Sequence, residues 1–107
     1  MVYNKLVRDN IPEIITKNGD SCITKVLDNP EFFRALIQKM HEETNEFAKD
    51  KTLEELADMF EVFSMLLLCS GHTIEDVAIA AESKRIEKGG FHNKIFLVET
   101  VEKDSNT

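Results

Sequence analysis

Apolar and polar positions recur at helical spacing through most of the chain, and the clearest such stretch opens at Asp28-Asn29-Pro30-Glu31. At about 100° per residue, Phe33, Leu36, Ile37, Met40, Thr44 and Phe47 share one face. Asn29 reads as the cap, Pro30 fits the first turn and Glu31 complements the helix dipole, so a helix is predicted to about Lys49. Lys49-Asp50-Lys51 breaks it. Thr52-x-x-Glu55 then matches a capping box opening a second helix that reaches Ser70 before Gly71. A third starts at Thr73, carries Glu75 and Asp76 in its first turn and is closed by Gly89-Gly90. A shorter helix is predicted from Pro12 to the residues before Asn18-Gly19. Ser21 to Leu27 and Ile95 to Val101 are rich in β-branched residues with rough alternation, and read as two short strands able to pair. The fold expected is mainly α: an antiparallel helical bundle, joined by short links and flanked by two short β-strands.

The second long helix has an unusual pattern. Leu53, Leu56, Ala57, Met59, Phe60, Phe63, Leu66 and Leu67 cover most of its circumference. The remaining arc carries Glu54, Glu55, Asp58 and Glu61, and further along Val62 and Met65. A helix apolar nearly all round requires burial on all sides, which a small three-helix domain cannot supply alone. This predicts a homo-oligomer, a dimer or tetramer, with this helix at its centre.

Size and charge narrow the classes. The 107 residues fit a single domain, 1–107, whose polar end, 102–107, is expected to fray. A formal net charge of -7 disfavours nucleic acid and anionic membrane surfaces as partners. Val62 to Cys69 is too short to span a bilayer and the first residues lack the apolar core of a secretory signal, so a cytoplasmic location is expected. Cys22 and Cys69 have neither metal-ligand spacing nor scaffold density, and read as buried thiols.

Two acidic pairs flank the polar break: Glu43-x-x-Glu46 and Glu55-x-x-Asp58. Glu43 falls at the edge of the apolar stripe, beside Leu36 and Phe47, and so faces inward; Glu46 borders the stripe, and Glu42 points to solvent. Capping accounts for Glu55 alone, and solvated faces account for Glu42 and Glu54. An inward Glu43 and an acidic arc on an apolar helix need another explanation. Desolvation and mutual repulsion drive such carboxylates to take up protons or bind cations. An all-oxygen donor set favours a hard divalent ion, Mg²⁺ or Mn²⁺, over Zn²⁺. Residues three apart on a helix lie about 5–6 Å apart at Cβ, so two facing pairs would form a four-carboxylate cradle.

Glu42-Glu43-x-x-Glu46 followed by Glu55-x-x-Asp58 resembles the motif pair of the all-α nucleoside triphosphate pyrophosphohydrolases, the MazG-like superfamily that includes phosphoribosyl-ATP pyrophosphohydrolases and dimeric dUTPases. The run Tyr3-Asn4-Lys5-Leu6-Val7-Arg8-Asp9-Asn10-Ile11-Pro12-Glu13-Ile14-Ile15 and the later Lys88-Gly89-Gly90-Phe91 are similar to a compact, phosphoribosyl-ATP pyrophosphohydrolase-like branch with house-cleaning activity. Lys88 stands where that branch has Arg, and Asn10 where it commonly has Lys. The resemblance spans nearly the whole chain. It implies Mg²⁺-dependent cleavage between the α- and β-phosphates of a nucleoside triphosphate, giving monophosphate and pyrophosphate. By the same resemblance Glu43, Glu46, Glu55 and Asp58 are the metal ligands and catalytic acids.

A polyphosphate also needs cations from the protein. The candidates are Lys5, Arg8, Lys84, Arg85 and Lys88, with Lys84 and Lys88 four apart on one helix face. Each also reads as an ordinary solvated cation, and Lys84 is spaced to pair with Glu87 or Glu82. His41, His72 and His92 stand apart and read as surface or capping residues; Phe91 reads as core before it reads as a base-stacking platform. Alternatives to house-cleaning hydrolysis are a phosphoribosyl-ATP substrate and a non-catalytic helical oligomerisation or regulatory module.

Overall fold

The computed structural model describes residues 1–103; the last four positions of the expected frayed end lie outside the described residues. Four helices follow in order, α1 (Ile11–Lys17), α2 (Asn29–Asp50), α3 (Leu53–Ser70) and α4 (Ile74–Lys88). The protein is mainly α. Its chain divides into two compact units, Met1–Ile74 and a second beginning at Glu75.

In the first unit, α2 and α3 pack against each other as an antiparallel pair joined by Lys51 and Thr52. The cap of α2 is Asp28 rather than Asn29. Its side chain accepts from the Glu31 N–H at 2.9 Å, and Glu31 returns to the Asp28 N–H, completing a capping box. Lys51 ends α2 in the left-handed region (φ 54°), with its N–H on the Phe47 carbonyl and its ammonium on the Ala48 carbonyl at 3.0 Å. This reversal starts α3 after a single further residue. Thr52 then caps α3 by accepting the Glu55 N–H at 3.3 Å. Gly71 closes α3 at φ 76°, where glycine carries no steric penalty.

The core of this pair is small. Leu36 on α2 (1% exposed) and Val62 on α3 (7%) are its buried apolar side chains among the described residues. Met40, Phe47, Met59, Phe63, Met65 and Leu66 are half-buried around them. Val62 lies on the arc of α3 that also carries Glu55 and Asp58, so the helix packs with its acidic side inward. Leu53, Leu56, Phe60 and Leu68, on the opposite side, are exposed. Phe33 and Ile37, expected within the α2 stripe, also stand largely outside the contact.

The two expected strands do not form: among the described residues there is no β-structure. A strand is defined by its partner, and neither segment has a ladder hydrogen bond. Ile23, Val26, Ile95, Phe96 and Val98 are all exposed. Cys22 and Cys69 are free and exposed, not buried, one in a segment without regular structure and one in the last turn of α3.

The N-terminal segment settles on the first unit through a half-buried Leu6 and, in α1, half-buried Ile11, Pro12 and Ile15. The second unit holds α4 from Glu75 onward, closed by Gly89 at φ 84°, and a following loop in which the Lys94 N–H bonds the Phe91 carbonyl at 3.1 Å. Phe91 is exposed rather than core. No single helix among the described residues is long and apolar enough to cross a membrane.

Candidate metal centre

The tight link between α2 and α3 decides where the acids meet. With only Lys51 and Thr52 between the helices, the last two turns of α2 lie beside the first two of α3. Glu43, Glu46 and Asp50 come from one side and Glu55 and Asp58 from the other. One carboxylate oxygen from each of Glu43, Glu55 and Asp58 lies within 4.8 Å of the others, and the same holds for Glu46, Asp50 and Glu55. All four residues expected from the motif are therefore in the cluster, and Glu55 joins its two halves.

Asp50 was not anticipated. Its place in Lys49-Asp50-Lys51 suggests the polar break, yet it lies seven residues after Glu43 and four after Glu46, on the same side of α2. The helix extends one residue past Lys49 and carries it in.

The cluster is short of positive charge. Glu55 is half-buried, and its carboxyl is pushed above the ordinary glutamate range, first by desolvation and then by Asp58, Glu43, Asp50 and Glu46. Its carboxylate lies in this cluster instead of returning to the Thr52 N–H, so only the threonine half of the expected capping box is made. Glu43 is inward-facing as expected, its side chain 13% exposed. Glu46 is exposed. Glu42 is half-buried rather than fully solvated, because Lys39 bridges it at 3.3 Å and Glu43 at 3.5 Å.

A second cation arrives from far away in sequence. The Arg8 guanidinium donates to Asp58 Oδ1 at 2.7 Å. The Arg8 pKa is raised further above its already high value, chiefly by this hydrogen bond, with the charges of Asp58, Glu61 and Glu43 adding to it. Five carboxylates thus face two cations, Lys39 and Arg8.

This donor set fits a hard divalent ion. Oxygens sharing one such ion can be no further apart than twice the metal–oxygen distance, ~4–5 Å. Each trio lies near that limit, within reach of a side-chain adjustment. No histidine or cysteine takes part, which argues against a zinc-type site.

The remaining expected cations are divided between the two units. Lys5 lies over the Tyr3 ring at 5.7 Å and lines a small cavity of about 40 Å³ with Leu6, Ala35, Gln38, Lys39 and Glu42, on the flank of α2. In the second unit Arg85 is held by Glu82 at 2.6 Å, while Lys84 and Lys88 are exposed. Lys88 through Ile95 wrap a cavity of about 190 Å³. His41, His72 and His92 are exposed, consistent with surface roles.

No known family model, curated protein or solved structure matches this chain.

Proposed function

We propose that the protein is a Mg²⁺-dependent nucleoside triphosphate pyrophosphohydrolase of the MazG-like, all-α type, releasing monophosphate and pyrophosphate from non-standard nucleotides. The observation that carries this reading is the convergence of Glu43, Glu55 and Asp58, with Glu46 and Asp50 adjoining, at the α2–α3 link. Such a cluster repels a polyphosphate unless divalent charge lies between them.

Glu43, Glu55 and Asp58 would hold one ion, and Glu46, Asp50 and Glu55 a neighbouring one; Mn²⁺ would substitute for Mg²⁺. When bound, the ion neutralises phosphate charge and lowers the pKa of coordinated water. The chain's own contribution is placement. Leu36 and Val62 lock the helices in register, and Lys39 restrains Glu43. A carboxylate left outside the coordination sphere accepts the water's proton. Lys5 and Arg8, in the same unit as the cluster, are the proposed phosphate contacts.

The working form is proposed to be a homodimer or homotetramer built on the outer face of α3, in which Leu53, Leu56, Phe60 and Leu68 are exposed. A nucleoside triphosphate substrate is consistent with a cytoplasmic site of action.

The test is product analysis with a panel of ordinary and modified nucleoside triphosphates and phosphoribosyl-ATP, with Mg²⁺ or Mn²⁺. The reading requires monophosphate and pyrophosphate, formed only with the metal. Diphosphate and orthophosphate as products would refute it. Preference for phosphoribosyl-ATP would shift the substrate within the same chemistry, and metal binding without turnover across the panel would favour the regulatory module.

A further inference from the structure

Arg8 is placed by the fold before it meets Asp58. Upstream, Leu6 is half-buried and lines the small cavity against Ala35 and Gln38 of α2. Downstream, the Ile11 N–H bonds the Arg8 carbonyl at 3.1 Å, a turn that delivers the chain into α1. The backbone at Arg8 is thus fixed on both sides, while its side chain remains 57% exposed. It uses this freedom to reach Asp58 Oδ1, fifty residues further along the chain.

Asp58 is also a member of the carboxylate trio with Glu43 and Glu55. The oxygen engaged by a guanidinium is not free for an ion, and a cation this close to the trio repels a divalent charge by simple Coulomb interaction. An exposed ion pair is weakly held and gives way to a doubly charged competitor. Lys39 differs: its side chain is 19% exposed and bridges Glu42 and Glu43 along one helix, so it is a fixed part of the wall.

We infer that Arg8 is a displaceable internal counter-ion, occupying Asp58 until a divalent cation takes its place and thereby releasing its guanidinium to bind phosphate oxygens at the same site. This rests on the metal-centre reading above and adds an order of events to it. With no ion bound, Arg8 screens the cluster and is unavailable to an anion. Once Asp58 turns to the ion, a planar donor on an anchored backbone is left facing the new positive centre's ligands, suited to bidentate pairing with phosphate. Metal loading and anion binding become linked through one side chain.

The experiment is a calorimetric Mn²⁺ titration of the full chain without nucleotide, comparing wild type with Arg8→Gln and Arg8→Lys, followed by inorganic pyrophosphate titration of each Mn²⁺-loaded protein. Removing the competitor should tighten Mn²⁺ binding by about three- to tenfold in Arg8→Gln, with Arg8→Lys between. The same Arg8→Gln protein should bind pyrophosphate more weakly than wild type. In wild type itself, the Arg8 side-chain N–H resonance should move on Mg²⁺ addition; this holds as a test if either variant fails to fold. Unchanged or weaker Mn²⁺ binding by Arg8→Gln, or an Arg8 resonance unmoved at Mg²⁺ saturation, would overturn the counter-ion role while leaving the metal centre standing. Absence of Mn²⁺ binding by all three proteins would overturn both.

Discussion

Glu43 on α2 and Glu55 on α3 bring carboxylate oxygens within 4.8 Å of each other and of Asp58, at the inner side of a two-helix contact. Like charges at this distance oppose the packing that Leu36 and Val62 favour. The fold carries this opposition at the link between its two longest helices, and several consequences can be measured.

The first concerns pH. The Glu55 carboxyl is raised above its unfolded value of about 4.3 by desolvation and by its acidic neighbours. The folded state therefore binds the proton more tightly than the unfolded state. Its stabilising contribution is fully present below the unfolded pKa and is lost as pH rises through the folded one. Metal-free protein should lose stability from Glu55 across that window, and Glu55→Gln should be more stable than wild type at pH 7. The gain should shrink toward pH 4. Urea melts at several pH values in a chelator decide this; equal midpoints at pH 7 would contradict it.

Divalent metal should act in the opposite sense. Mg²⁺ at a hundred times its dissociation constant should stabilise the wild type by about 2.7 kcal/mol through mass action. Glu55→Gln joins neither trio fully and should lose most of that increment. Thermal melts with Mg²⁺, and with K⁺ at matched ionic strength as control, separate coordination from screening.

The outer face of α3 makes a prediction about assembly. Leu56 and Phe60 are exposed, and Leu53 and Leu68 extend the same patch. Sedimentation of wild type should show a dimer or tetramer, and Phe60→Asp should shift it to smaller species with its helix content retained. A wild-type monomer at high concentration would contradict the oligomer.

Capping supplies a local check. Asp28 receives the Glu31 N–H at 2.9 Å and is answered by Glu31. Asp28→Ala should cost about 1 kcal/mol, whereas Asn29→Ala, at the first helical position, should cost far less. Denaturant midpoints measure both.

The helices were legible because their ends are written locally. Pro12, Pro30, Thr52, Gly71 and Gly89 mark boundaries through dihedral preference or a side-chain cap, and the structure keeps them within a residue or so. The cap at Asp28 was misplaced by one position because Asp and Asn are both good caps. Strands were overread: alternation in Ser21 to Leu27 and Ile95 to Val101 describes a face, whereas a strand needs a partner that no local pattern supplies. The near-continuous apolar pattern of α3 predicts burial all round, whereas Val62 on the acidic arc is buried and Leu53, Leu56, Phe60 and Leu68 are exposed.

The four motif carboxylates were legible through their spacing. Asp50 was overlooked although its heptad relation to Glu43 was available, because it was read as part of the break. Lys39 was likewise in view, four residues before Glu43. The Arg8–Asp58 pair was not, since a contact across fifty residues leaves no local periodicity.

The central claim is that the carboxylates at the α2–α3 link hold the ion that pyrophosphate release requires. Its most direct test measures Mn²⁺ binding and metal-dependent pyrophosphate release together, in wild type, Glu43→Gln and Asp58→Asn of matched oligomeric state and helix content. Both variants should lose metal affinity by at least about tenfold, and release should fall with it. Variants that fold, bind the ion as tightly as wild type and release pyrophosphate at the wild-type rate would contradict it.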